Sequence, residues 1–154
     1  MEKLTKALIE EYFNNYLPYR SRILIAHRNL AKDKDYSGDV SILQACFEAS
    51  LVTGRMYLNV LGISRNYKDE LIEKKFKEDD ISATDLGGNL VDIEELPDNE
   101  YNLIVGFLKM ADKGAAHLTM PYNHPVNETY KAIELIIKLI KEHIYIPVGR
   151  EMKY

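Results

Sequence analysis

Ser41–Ile63, SILQACFEASLVTGRMYLNVLGI, decides the fold. At about 100° per residue its apolar side chains, among them Ile42, Phe47, Leu51, Met56, Leu58 and Val60, point in nearly every direction around a helix. A helix that is apolar almost all round is normally a buried, central one. The exception is a seam of Ser41, Gln44, Glu48, Arg55 and Asn59, whose positions fall within roughly 60° of one another on the wheel. The stretch therefore predicts the middle of an all-α domain.

Working outward, residues 3–32 carry a helical repeat of Leu4, Leu8, Tyr12 and Tyr16, broken at Pro18 by a kink or by the start of a second helix. The polar turn DKDYSGD at 33–39 ends on Asp39, which suits the N-cap of the central helix, and Gly62 suits its end. Residues 67–77 read as two or three exposed helical turns packed through Leu71, Ile72 and Phe76. Residues 81–97, with the Gly87-Gly88 pair, read as a small β-hairpin or an ordered loop peripheral to the helices. Helical periodicity returns at Asp98, where small residues (Gly106, Gly114, Ala115, Ala116) invite close approach by a neighbour. After the proline-rich loop at 120–125, Asn127 is placed to cap a last helix over 128–145. The expected architecture is one domain over residues 1–154, a bundle of four to five mostly antiparallel helices with a small acidic loop or β-hairpin excursion.

Composition narrows the setting. A chain of 154 residues, 46% hydrophobic and 29% charged, can build its own core without staples. Its one cysteine, Cys46, excludes an intramolecular disulfide and cysteine-rich zinc sites and suits a reducing compartment. No apolar run reaches membrane-spanning length, and the charged start MEKLTKALIEEYF lacks a signal-peptide core, so a cytoplasmic protein is expected. The net charge of −4 conceals nine acidic residues and no Lys or Arg between Glu78 and Leu108, which leaves the remainder near +5 and able to face an anionic partner.

Three groups of residues could carry chemistry. On the central helix Gln44, Glu48 and Arg55 form a line, and if buried these charges must pair or face a cleft, the basis for a small-molecule site. Aromatic and basic residues interleave at Tyr16, Tyr19, Arg20, Arg22 and Arg28, a pattern able to stack on and pair with RNA. Lys109, Lys113 and His117 follow at i, i+4 and i+8, so a continued helix would align three potentially cationic side chains. His27 lies on an apolar stripe, where a hydrogen-bonded core histidine is the ordinary reading. No Glu-x-x-His or His-Glu-x-x-His spacing calls for a metal, and no glycine-rich phosphate loop calls for a cofactor, so none is expected.

The segment ADKGAAHLT at 111–119 resembles the stretch before the final helix in HEPN-type helical domains of prokaryotes. In that family a basic residue, four to six further residues and a histidine form an RNA-cleaving site. Here Lys113 stands where an arginine would be, only three residues separate it from His117, and a formal match falls instead on Arg22 and His27. The resemblance implies a helical domain that acts as a binding or interaction module, with RNA or a protein as partner and a homodimer as a candidate state. The alternative it implies is a metal-independent ribonuclease, with His117 as acid or base and Lys113 or Arg22 steadying the phosphate.

Overall fold

The structure, a computed structural model, describes residues 4–114 and 126–154, with side chains for all of these except Lys113 and Gly114. It is mostly helical, with one small antiparallel hairpin. α1 (Lys6–Glu11) starts where the Thr5 hydroxyl accepts a bond from the Leu8 N–H at 3.3 Å. It runs on through a π turn (Tyr12–Tyr16) into α2 (Leu17–Lys32). Pro18 therefore neither breaks nor restarts the helix. Proline has no N–H and crowds the carbonyl four residues back, and the preceding turn has widened, with the Leu17 N–H reaching the Tyr12 carbonyl. The Leu17 carbonyl accepts the Tyr57 hydroxyl at 2.8 Å, and that hydroxyl also lies 3.0 Å from the Ser21 hydroxyl.

α3 (Val40–Val60) is the expected central helix, capped by Asp39, whose carboxylate accepts from the Ser41 N–H at 2.8 Å. It ends before Gly62, which takes a left-handed φ of 90°. α3 packs along α2 and against α4 (Asp98–Gly114) and α5 (Val126–Ile140). Its burial is uneven. Leu51, Tyr57 and Leu58 are sealed in the core, but Val40 is 76% and Ile42 51% exposed. Beside Ile42 an open apolar groove of about 450 Å³ separates α2 from α3, lined by Ile23, Ala26, Ala45, Cys46 and Ala49. The C-terminal half of the helix is the better buried, although Val52 and Arg55 stay exposed, and Cys46 is half-buried on the groove rather than sealed in the core.

Residues 67–77 are not helical. β1 (Ile63–Arg65) and β2 (Leu71–Glu73) pair antiparallel, Ile63 opposite Glu73 and Arg65 opposite Leu71. The turn is built by Asn66, whose side-chain oxygen accepts from the Lys68 and Glu70 N–H groups, and by Asp69 at φ 67°. The Gly87-Gly88 region is no hairpin. It holds short 3-10 turns at Thr84–Leu86 and Ile93–Glu95 and is sewn into the fold. The Ala83 and Val91 N–H groups bond the Val60 and Leu61 carbonyls at 2.8 and 2.9 Å, and the Asn89 N–H bonds the His143 carbonyl at 2.8 Å. Ala83, Leu86 and Val91 are buried, so this acidic stretch is part of the core rather than a peripheral excursion. A Cβ on Gly88 would collide with the His143 carbonyl oxygen, which is why a glycine stands there.

α5 contains Asn127 rather than following it as a cap, and it continues through a π turn (Lys141–Tyr145) and a 3-10 turn (Ile146–Val148). The Phe13 ring meets Tyr145 edge-on at 5.3 Å, and Arg150, bonded to Glu10, lies over Phe13 at 4.5 Å, which ties the last residues to the first helix. α3 and α4 approach closely at Gly54 in α3, where any Cβ would run into the buried Phe107 ring of α4. No helix among the described residues is long and apolar enough to cross a membrane.

Candidate functional site

Three segments enclose a cleft of about 750 Å³. The first wall comes from the π turn and the start of α2 and presents Tyr12, Tyr16 and Arg20. The two tyrosine rings lie 5.1 Å apart, tilted by 41°, with Tyr12 half-buried and Tyr16 exposed. Burial, with Tyr16 and Glu11 nearby, pushes the Tyr12 hydroxyl above its ordinary pKa, so it enters the cleft as a neutral donor. The second wall is the α3 stripe Val52, Arg55, Met56, Asn59 and Val60, spaced as one helix face requires. The third is the segment after the hairpin, with Lys74, Phe76, Lys77 and Asp80. It is pinned by Asp80, which takes the Lys74 ammonium at 2.8 Å and the Lys77 N–H at 2.9 Å. These bonds, the Lys74 one first, hold the Asp80 carboxyl below its usual pKa.

The electrostatics of the walls differ by residue. Arg55 is half exposed and bonded to Asp112 of α4 at 2.8 Å. Asp112 is shared with Arg65 at 2.6 Å, Arg65 also bonds Asp69, and Asp69 takes Lys109 at 2.7 Å. This chain of charges joins α3, the hairpin and α4. The Lys109 bond, the largest cause, holds the Asp69 carboxyl below its usual pKa. Arg20, by contrast, lines the cleft without a carboxylate partner among the described residues, and Lys77 lies on it with its charge acting on Asp80. The Arg20 guanidinium instead lies 5.7 Å from the Tyr19 ring centre. The cleft thus combines aromatic faces, the cations Arg20, Arg55, Lys74 and Lys77, the carboxylates Asp79 and Asp80 and the amide of Asn59.

The residues singled out from the sequence are scattered across the fold. Glu48 and Arg55 do not meet; Gln44 donates to Glu48 at 2.9 Å on the exposed side of α3, and Arg55 turns to Asp112. Of the seam, Arg55 and Asn59 reach the cleft. Lys109 is half-buried and bonded to Asp69, and its alignment with Lys113 and His117 lies outside the described residues. His27 sits between α2, α3 and α5, with Nδ1 3.0 Å from the Tyr130 hydroxyl and its ring edge-on to Phe47 at 5.0 Å. Burial lowers its pKa. Arg22 is exposed and His27 half-buried. His117 lies outside the described residues, as does the Lys113 side chain. Among the described residues no three His, Cys, Asp or Glu side chains gather as metal ligands would.

Sequence reading missed Asp112, the hub of the charge chain, and the whole third wall, because residues 67–77 looked helical. The interleaved Tyr16 and Arg20 were the one visible sign of the first wall. No family model, curated protein or solved structure matches the chain.

Proposed function

We propose that the chain is a HEPN-like helical bundle acting as a binding module, and that the cleft between the π turn, α3 and residues 74–81 holds an anionic partner, with single-stranded RNA the first candidate. The observation that carries this reading is that Arg20, with no carboxylate partner among the described residues, and Lys77 line one cleft beside the Tyr12 and Tyr16 rings. Cations that neutralise phosphates give affinity, and aromatic faces accept bases without regard to sequence. The ribonuclease alternative needs a proton-transferring group near the phosphate, and His27, the one histidine of its formal motif that is described, spends its Nδ1 on Tyr130.

The test is fluorescence anisotropy of a labelled mixed-sequence single-stranded RNA with EDTA present, read alongside a gel for cleavage. Binding is expected to weaken with salt and to fall at least tenfold in the Arg20→Ala, Lys77→Ala double variant, with the RNA left intact. Undiminished binding in the double variant contradicts the cleft as the site. Cleavage that disappears in His117→Ala supports the ribonuclease instead.

A further inference from the structure

We infer that the cleft carries its own blocking anion: the Asp80 carboxylate occupies Lys74, and an anionic partner must displace it to bind fully. This rests on the anion-binding reading above and adds the regulation of that site. Lys74 is the most shielded cation of the cleft. Its side chain is 19% exposed against 51% for Arg55, while Arg20 and Lys77 are exposed. A charge shielded from water attracts an anion more strongly than one in solvent. Yet this ammonium is taken, 2.8 Å from Asp80 and 2.9 Å from the Lys75 carbonyl.

The blocking group stands on a strap. The Lys74 N–H bonds the Gly62 carbonyl and the Ala83 N–H the Val60 carbonyl, each at 2.8 Å, which anchors the two ends beside the end of α3. Between these anchors, residues 75–80 form hydrogen bonds only with one another and with Lys74, among the described residues. The Asp80 N–H donates to the Lys77 carbonyl at 3.2 Å, and the Asp80 carboxylate accepts the Lys77 N–H at 2.9 Å. Residues 77–80 thus hold their own turn.

Release is therefore local. When the ammonium leaves, Asp80 keeps a donor in the Lys77 N–H, and no buried carboxylate is stranded. Lys74 exchanges one anion for another. Asp79, the next residue on the turn, also lines the cleft, with no bonded cation among the described residues, and repels an incoming anion. A carboxylate tethered beside its cation competes at high effective concentration. A weak anion is excluded, and one held first by Arg20 on the opposite wall has the added contacts to displace it.

The test is anisotropy of the same labelled single-stranded RNA with the full chain and its Asp80→Asn, Asp79→Asn and Lys74→Gln variants. Asp80→Asn keeps an acceptor for the Lys77 N–H, and melting curves establish that each variant folds. Asp80→Asn should bind about fivefold more tightly than the wild type. Asp79→Asn, which removes an equal charge from the same turn, should gain less than about twofold. Lys74→Gln alone should cost less than about twofold, because RNA reaches Lys74 only by giving up the Asp80 contact. Added to Asp80→Asn, it should erase the gain. RNA binding seen only in Asp80→Asn is the same result in its extreme form. Equal gains from Asp79→Asn and Asp80→Asn, or a fivefold loss from Lys74→Gln alone, would mean independent charges and overturn the inference. Should Asp80→Asn fail to fold, Lys74→Gln alone decides. If RNA binds through Arg20 and Lys77 while Asp80→Asn gains nothing, the inference falls and the binding module stands. If no variant binds RNA, both fall.

Discussion

Single residues fix this fold at points where no helical repeat announces them. Gly54 lies in mid-helix, where glycine costs about 0.5–1 kcal/mol relative to alanine, yet it admits the Phe107 ring so closely that no Cβ fits. Gly54→Ala is expected to destabilise by roughly 1–3 kcal/mol in urea unfolding despite alanine's better helix propensity; a stabilised variant would show that α3 and α4 do not meet there. Nothing in the local sequence separates Gly54 from a solvent-facing glycine, because its reason is a ring 53 positions away. His27 was legible, since an apolar stripe on one helix is a local property. Its pKa is lowered by burial, so the folded state favours the neutral ring that bonds Tyr130. The stability this gives is present above the unfolded value of about 6.5 and is lost as pH falls through the lower folded value. Thermal melts from pH 7.5 to 5 should fall more steeply for the wild type than for His27→Gln, and parallel curves would contradict the assignment.

Among the elements, the helices were readable and the connections were not. α3 and α4 were recognised because 3.6-residue periodicity and the punctuation of Asp39 and Gly62 act within a few residues. Residues 67–77 misled because Leu71, Ile72 and Phe76 have the spacing of a helix face, while the Asn66 side chain that turns the hairpin lies just before them. The acidic stretch misled through its charge. Most of its carboxylates are exposed, yet Ala83, Leu86 and Val91 are buried within a segment that reads as solvated. Leu86→Ala should therefore cost about 2–5 kcal/mol in chemical denaturation. Replacing residues 84–92 by a short Gly/Ser linker should lower helicity by far-UV circular dichroism, since it also removes the Val91 and Asn89 bonds to Leu61 after α3 and to His143 in the π turn after α5. Full helicity in the replacement would return the segment to the periphery.

The whole molecule is a helical framework around α3, with the hairpin and the segment after it closing one side into a cleft. The central helix and part of its polar seam could be read from the chain, and Arg55 and Asn59 of that seam do line the cleft. The cleft itself could not, because its walls come from three separate stretches of sequence brought together by packing. Its role depends on where a ligand lands, and amide chemical shifts report that residue by residue. In a ¹⁵N-labelled titration with single-stranded RNA, saturable shifts should gather in residues 12–20, 52–60 and 74–81. Shifts confined to α4 and α5, or none at saturating ligand, would contradict the cleft as the working site.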